Sequence, residues 1–372
     1  MILKSIKTEH IDKKTGMVLK RITTSEWETH NHKIAINNSL FSCEQKRLDN
    51  KKSVLNAPFQ IHHIFFNKKR RIWNFDKMTE SKAHASRLGR FYLPFQQRNA
   101  KQWQSLTFKE AEADFQDLVT RGLTLVPYSI PLGADLEEWK KRKADALTLL
   151  NQSQKLVAIF CSRHQRDLFE DIFNYEFENS KLIGMQCYGL NDADTLLNLM
   201  KIKSRNMMLQ TGDEAPLLIG LNYEKVQRKL SFVSGSFAYS CFGFDILSCR
   251  QICLENMPSD AIRKMLSKKV EEIMRYDKTL GGFNLSAEQE FWDGINLTRA
   301  FLEKVNVTEG LNQYQAIQWA NHREQQIDFD TLNDYILETA YEENAVLNYI
   351  ETEKEKWAVF WKTKITNLSG VV

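Results

Sequence analysis

Lys155-Leu156-Val157-Ala158-Ile159-Phe160-Cys161 is an apolar run of strand length, rich in Val, Ile and Phe and without polar alternation. Such a run fits a strand covered on both faces, as in a parallel sheet flanked by helices. The chain around it repeats that theme. Upstream, residues 108–121 predict a helix, 123–129 a strand, and 135–150 a helix with Leu136, Trp139, Leu147 and Leu150 on one side. Downstream, 163–177 and 192–202 predict helices, 181–187 and 216–221 strands, 223–232 the start of a helix and 240–247 a further strand. Strands alternating with helices at roughly 30-residue spacing imply right-handed crossovers and a parallel sheet. That spacing suits a barrel or a doubly wound sheet. No Gly-x-Gly-x-x-Gly or Gly-x-x-x-x-Gly-Lys-Ser/Thr loop follows any of these strands, which removes support for a nucleotide-binding doubly wound fold. The expectation is an α/β fold, a TIM-like (β/α) barrel with core at 108–256. A basic, strand-rich region at 1–107 precedes it and is able to contribute to the barrel, and a helical region at 257–372 follows. In that last region Met257-Pro258-Ser259-Asp260 opens a helix that Gly281-Gly282 closes, and apolar residues at helical spacing fill 330–350 and 351–362.

With 372 residues, 42% of them hydrophobic, the chain can bury a sizeable core. No apolar run approaches the roughly 18 residues of a membrane span, and the first residues turn charged before a signal-peptide core could form. Six cysteines, several inside apolar runs, do not form a disulfide framework, so a reducing cytoplasm is the expected compartment. The charge is uneven. Residues 1–100 carry 20 Lys and Arg against 8 Asp and Glu, while the remainder is net acidic. Phosphate backbone is a common partner for such a surface, although a solvated lysine-rich face has the same composition. The segment Ile64 to Trp73 concentrates the signal, with aromatics flanking Lys68, Lys69, Arg70 and Arg71 beside Trp73. Rings that stack on bases next to cations that neutralise phosphate make a nucleic-acid platform. Cations guarding a strand edge against aggregation would look the same.

In a parallel barrel, catalytic groups collect just after the strands. Ser162, Arg163 and His164 follow one expected strand, Gln186, Cys187 and Tyr188 another, and Asn222 and Tyr223 a third. His62 and His63 fall on opposite faces of their strand, so one points inward, where a core histidine satisfied by its neighbours is the default. Tyr188 and Tyr223 could sandwich a planar base or simply pack. Asp245 stands among Phe242, Phe244, Ile246 and Leu247, a costly place for an unpartnered carboxylate. It could stabilise an oxocarbenium-like sugar or bond to its anomeric carbon. It could equally cap a turn or pair with Arg250 or Arg228.

The serial order of Gly189-Leu190, Leu218-Ile219-Gly220-Leu221 and Phe244-Asp245 followed by Arg250 resembles that of the tRNA-guanine transglycosylase superfamily over residues 121–250. Members of that superfamily insert 7-deazaguanine bases into tRNA and DNA. The resemblance implies a pentosyltransferase that expels guanine from a nucleic acid and installs a 7-deazaguanine. Asp245 would be its nucleophile, with Ser162, Gln186, Tyr188, Gly189, Leu190 and Gly220 around the base, and the target nucleotide would be flipped out or unpaired. Tyr188 stands where the family has a glycine. The family's Asp-Ser-Gly-Gly-Phe-Gln segment has no counterpart. Its Cys-x-Cys-x-x-Cys…His zinc site is missing too, so no metal or cofactor is expected and DNA is favoured over tRNA. The missing second aspartate supports a rival expectation: a catalytically inactive barrel serving as a nucleic-acid-binding subunit or as an assembly subunit beside a partner subunit.

Overall fold

The computed structural model describes residues 2–47, 55, 57–67, 71–188, 192–223, 226–227, 230–251, 257–266, 275–278, 281–284, 313–339 and 342–354. The chain begins with β1 (Leu3–Ile11), β2 (Val18–Thr24), β3 (Glu28–His30) and β4 (Lys33–Ile34), then α1 (Asn38–Arg47). There follow β5 (Phe59–Asn67), β6 (Ile72–Asn74), α2 (Met78–Arg87), β7 (Phe91–Gln97), α3 (Ala100–Gln104) and α4 (Phe108–Thr120). The regular alternation comes next: β8 (Leu125–Ser129), α5 (Leu136–Thr148), β9 (Lys155–Cys161), α6 (Arg166–Asn179), β10 (Leu182–Gln186), α7 (Ala193–Met207) and β11 (Leu217–Tyr223). Then come β12 (Val226–Gln227), β13 (Leu230–Ser234), α8 (Gly235–Ser240), β14 (Ile246–Cys249) and α9 (Ser259–Leu266). The last elements are β15 (Arg275–Asp277), β16 (Gly282–Asn284), α10 (Gln313–Glu338) and α11 (Ala345–Glu353).

The fold is mixed α/β. A six-stranded parallel sheet runs β4-β14-β11-β10-β9-β8. Its first strand comes from the basic N-terminal third, since Ile246 and Leu247 pair with Lys33 and Ile34. A second group has β5 parallel to β7 and antiparallel to β6. Ile36 ties the two groups together by a parallel bridge to Gln60, its N–H donating to the Phe59 carbonyl (2.9 Å) and its carbonyl accepting from Ile61 (2.7 Å). Among the described residues no ladder joins β7 to β8, so the hydrogen-bonded sheet is not a closed ring.

Period-2 alternation sorts the side chains. One face carries a continuous apolar cluster that includes Phe59, Ile61, Leu93, Phe95, Val157, Ile159, Ile219 and Ile246. Ile6 and Ile22, from the antiparallel β1-β2-β3 sheet, join it. The other face packs against helices. Tyr128 on β8 lies 5.0 Å from Phe115 of α4 and 5.2 Å from Trp139 of α5, ring centre to ring centre. The helices start where their caps dictate. Thr107 and Glu110 form a capping box before α4, and the carboxylates of Asp135 and Asp192 accept from the N–H groups of Glu138 and Thr195.

Several local expectations differ. The helix expected at 223–232 is instead β12 and β13, which pair antiparallel. The strand expected at 240–247 is interrupted. Gly243 has φ +92°, a turn conformation that extended backbone cannot contain, and a Cβ there would sit 2.1 Å from Nδ2 of Asn206. The strand therefore begins only at Ile246. The helix expected from 257 to 281 gives way to the β15–β16 hairpin, and 330–350 is divided between α10 and α11. No helix among the described residues is long and apolar enough to cross a membrane.

Candidate functional site

The apolar alternation on the common face changes character toward the C-terminal ends of the strands. Two residues beyond Ile61, Phe95 and Ile246 stand His63, Gln97 and Ser248. Four beyond Leu125 and Leu182 stand Ser129 and Gln186. These five are hydrogen-bonded to one another or to the adjoining loops. His63 Nδ1 is 2.8 Å from Oε1 of Gln97, and Nε2 is 2.9 Å from Oγ of Ser248. Burial lowers the His63 pKa to about 3, against the opposing effect of the Gln97 hydrogen bond, so the ring is neutral. Asn38, the first residue of α1, fixes its backbone by accepting from the His63 N–H (2.7 Å) and donating to its carbonyl (2.8 Å). His63 is thus an inward histidine with satisfied nitrogens.

Gln186 reaches to the end of β7. Its Oε1 accepts from the Arg98 N–H (3.1 Å), and its Nε2 donates to the Arg98 carbonyl (2.6 Å) and to the Tyr188 hydroxyl (3.1 Å). Arg98 itself is buried, donates to Ser129 Oγ (2.8 Å) and pairs with Asp114. Its guanidinium lies 5.0 Å from the Trp73 ring centre and 5.6 Å from that of Trp103. Burial raises the Asp114 pKa, opposed by Arg98 and by the indole N–H of Trp73, which donates to Oδ1 at 3.0 Å.

Beside this group opens a cleft of about 690 Å³, lined in part by Phe66, Arg71, Trp73, Arg98 and Asp114. The β5–β6 hairpin forms one wall. Phe66 and Trp73 are cross-strand partners whose rings meet edge to face at 5.4 Å. Arg71 is exposed, with φ +55° and its N–H donating to the Asn67 carbonyl (2.8 Å), which turns the hairpin. Arg71 and Trp73 thus share one cleft, while Lys68, Lys69 and Arg70 lie outside the described residues.

Of the residues expected around a base, Ser162, Gln186 and Tyr188 are hydrogen-bonded to one another, the Ser162 N–H donating to the Gln186 carbonyl (2.9 Å), but they do not line this cleft. Ser162 is on the helix side, its Oγ accepting from the Tyr188 N–H (3.0 Å) and lying 3.1 Å from the Thr195 hydroxyl. Gly220 is in the middle of β11, its missing side chain replaced by Leu247 and Phe244. Tyr188 is half-buried beneath the Arg163 guanidinium at 4.5 Å, with Arg163 paired to Asp192 (3.3 Å). Tyr223 packs against Tyr239. His164 is a buried neutral ring against Phe160 and Phe169, its pKa lowered by burial to about 4. Gly189 and Leu190 lie outside the described residues.

Asp245 occupies the opposite end from the strand termini where a nucleophile was expected, because it precedes the first residue of β14 and the strands are parallel. It is 1% exposed and fully engaged. Oδ2 accepts from Lys20 Nζ (2.8 Å) and the Leu218 N–H (2.7 Å), and Oδ1 accepts from Asn31 Nδ2 (2.6 Å). This arrangement realises the paired-carboxylate alternative, with Lys20 in place of Arg250, while Arg228 lies outside the described residues. It holds strands together and leaves no face of the carboxylate open to a sugar carbon.

Gln97, Arg98 and Ser248 carried no distinguishing signal as single residues. The usable signal was positional, the polar residue two places after an inward apolar one. No protein-family model matches the chain, and no curated protein does either.

Proposed function

We propose that this chain is a nucleic-acid-binding α/β barrel whose binding face is the β5–β6 hairpin and the cleft beside it. The observation carrying this reading is the convergence of exposed Arg71 with Trp73 and Phe66 in one cleft of about 690 Å³, whose other arginines, Arg98 and Arg121, are paired with Asp114 and Asp117. Aromatic faces beside cations suit stacked bases and their phosphates. The run Lys68-Lys69-Arg70 adds charge next to Arg71 in the sequence. Barrel architecture is supported by chain order. Taken with the Ile36–Gln60 bridge, β4, β5, β7, β8, β9, β10, β11 and β14 follow one another in space as they do in sequence. The side chains of one apolar cluster come from strands of both parallel groups. The open side lies between β7 and β8.

Base exchange through Asp245, with guanine expelled for a 7-deazaguanine, has less support, since that carboxylate is bound by Lys20, Asn31 and the Leu218 N–H away from the cleft. The rival expectation, a binding or assembly barrel without that chemistry, is the one the geometry favours. The test is fluorescence anisotropy with labelled single-stranded DNA and RNA. Affinity should fall steeply with salt, and Arg71→Glu and Trp73→Ala should each weaken binding by about tenfold or more. Binding that ignores salt and both substitutions removes the proposal. Incorporation of labelled guanine into nucleic acid, lost in a folded Asp245→Asn variant, would instead restore base exchange.

A further inference from the structure

Three side chains on β5, β7 and β14 form a directed chain of hydrogen bonds that binding nucleic acid does not require. Its polarity can be read from the donors. Gln97 Nε2 donates to the Gln251 carbonyl (3.0 Å), which fixes the amide so that Oε1 faces His63. An oxygen acceptor there requires the proton on Nδ1. Nε2 is then a bare lone pair, and the Ser248 hydroxyl, 2.9 Å away, must donate to it. A hydroxyl donating to a neutral imidazole, whose other nitrogen is oriented by a third group, is the arrangement of an activated nucleophile. The ring is held from several sides, with Asn38 clamping its backbone and Phe95 meeting it edge-on at 5.5 Å.

We propose that Ser248 is a nucleophile, His63 its general base and Gln97 the positioning residue, together acting on small carboxylic esters. Ser248 Oγ bonds to the ester carbonyl carbon while its proton passes to His63 Nε2. The carbon–oxygen bond to the leaving group breaks, and that oxygen takes the proton from His63 and departs as the alcohol. Water, deprotonated by His63, then attacks the acyl-serine, and the carboxylic acid leaves as Ser248 recovers its proton. Both Ser248 and His63 are buried, which restricts the acyl group to a small one such as acetyl. A neutral amide in place of a carboxylate stabilises the imidazolium poorly, so turnover is slow.

The test uses the full chain and methanesulfonyl fluoride, a probe close to acetyl in size, in which Ser248 Oγ bonds to sulfur, fluoride leaves and His63 takes the proton. Intact mass should show one adduct per chain, mapping to Ser248 and absent in Ser248→Ala. His63→Asn should slow labelling by about a hundredfold, whereas Gln97→Glu, which supplies a carboxylate, should label at least as fast as the wild type. Each variant is compared at unchanged circular dichroism. No adduct on the wild-type chain at millimolar probe, an adduct that persists in Ser248→Ala, or a rate indifferent to His63→Asn in a folded variant would each overturn the assignment. Oligonucleotide binding is measured separately and does not bear on it.

Discussion

The Lys20 ammonium on β2 lies 2.8 Å from Oδ2 of Asp245 at the foot of β14, and neither side chain reaches solvent. Lys20 also donates to the Pro216 carbonyl (2.9 Å), so one ammonium links the antiparallel N-terminal sheet to the start of two parallel strands. Removing one member of a buried pair strands the other charge. Lys20→Ala is therefore expected to cost about 3–5 kcal/mol. The double substitution Lys20→Met with Asp245→Leu should cost less than the single one, because no charge is left uncompensated. Urea denaturation of the three proteins checks the order.

Acid should unfold this protein early. His32, His62, His63 and His164 are buried and neutral, with burial lowering their pKa values from 6.5 to about 4, 4, 3 and 4. The unfolded chain binds protons at these groups first, so their contribution is fully present above about pH 6.5 and is lost as pH falls from there toward 4. Each group can contribute about 1.4 kcal/mol per pH unit across its window. The midpoint in urea should drop clearly between pH 7 and pH 5, with a shallower slope in His63→Gln.

Gln186→Leu should free the end of β7. Its amide meets both the N–H and the carbonyl of Arg98, and a leucine leaves the N–H unmet and the carbonyl with only the Tyr188 hydroxyl at 3.4 Å. A loss of about 2 kcal/mol is expected. Amide exchange at Arg98 should accelerate, while exchange in the middle of β9 should follow only the global change.

Gly243→Ala tests the turn that replaces the expected strand. With φ +92° and Asn206 Nδ2 at 2.1 Å from the new Cβ, alanine meets both an unfavourable backbone and a steric conflict. The expected cost exceeds 1 kcal/mol, read as a lower melting temperature. Gly133→Ala, where a Cβ meets nothing within 4 Å, should be near neutral.

The parallel sheet was legible because β9, β10 and β11 are apolar runs separated by amphipathic, capped helices, and periodicity registers both. The N-terminal strands were harder to place. β4 has only two residues, and its partners are 246–247, a pairing local pattern cannot encode. Asp245 is hard to place from the sequence for a related reason. Phe242 and Phe244 make 240–247 look continuous, whereas the Gly243 turn moves the strand's start past the aspartate. That boundary decides which end of the sheet the carboxylate occupies. The grouping of Arg71 and Trp73 at one cleft is foreseeable from their i, i+2 spacing on one extended stretch. The meeting of His63, Gln97 and Ser248 is not, since it joins three strands far apart in the chain.

Because Lys33 and Ile34 complete an edge whose partner is synthesised more than two hundred residues later, the N-terminal portion must wait on the ribosome with its pairing groups unmet. Sheet completion is thus among the last folding events, which makes the nascent chain dependent on protection from aggregation until residue 249 has emerged. A circular permutant that places residues 2–47 after β14 would shorten that wait and should refold faster than the natural order.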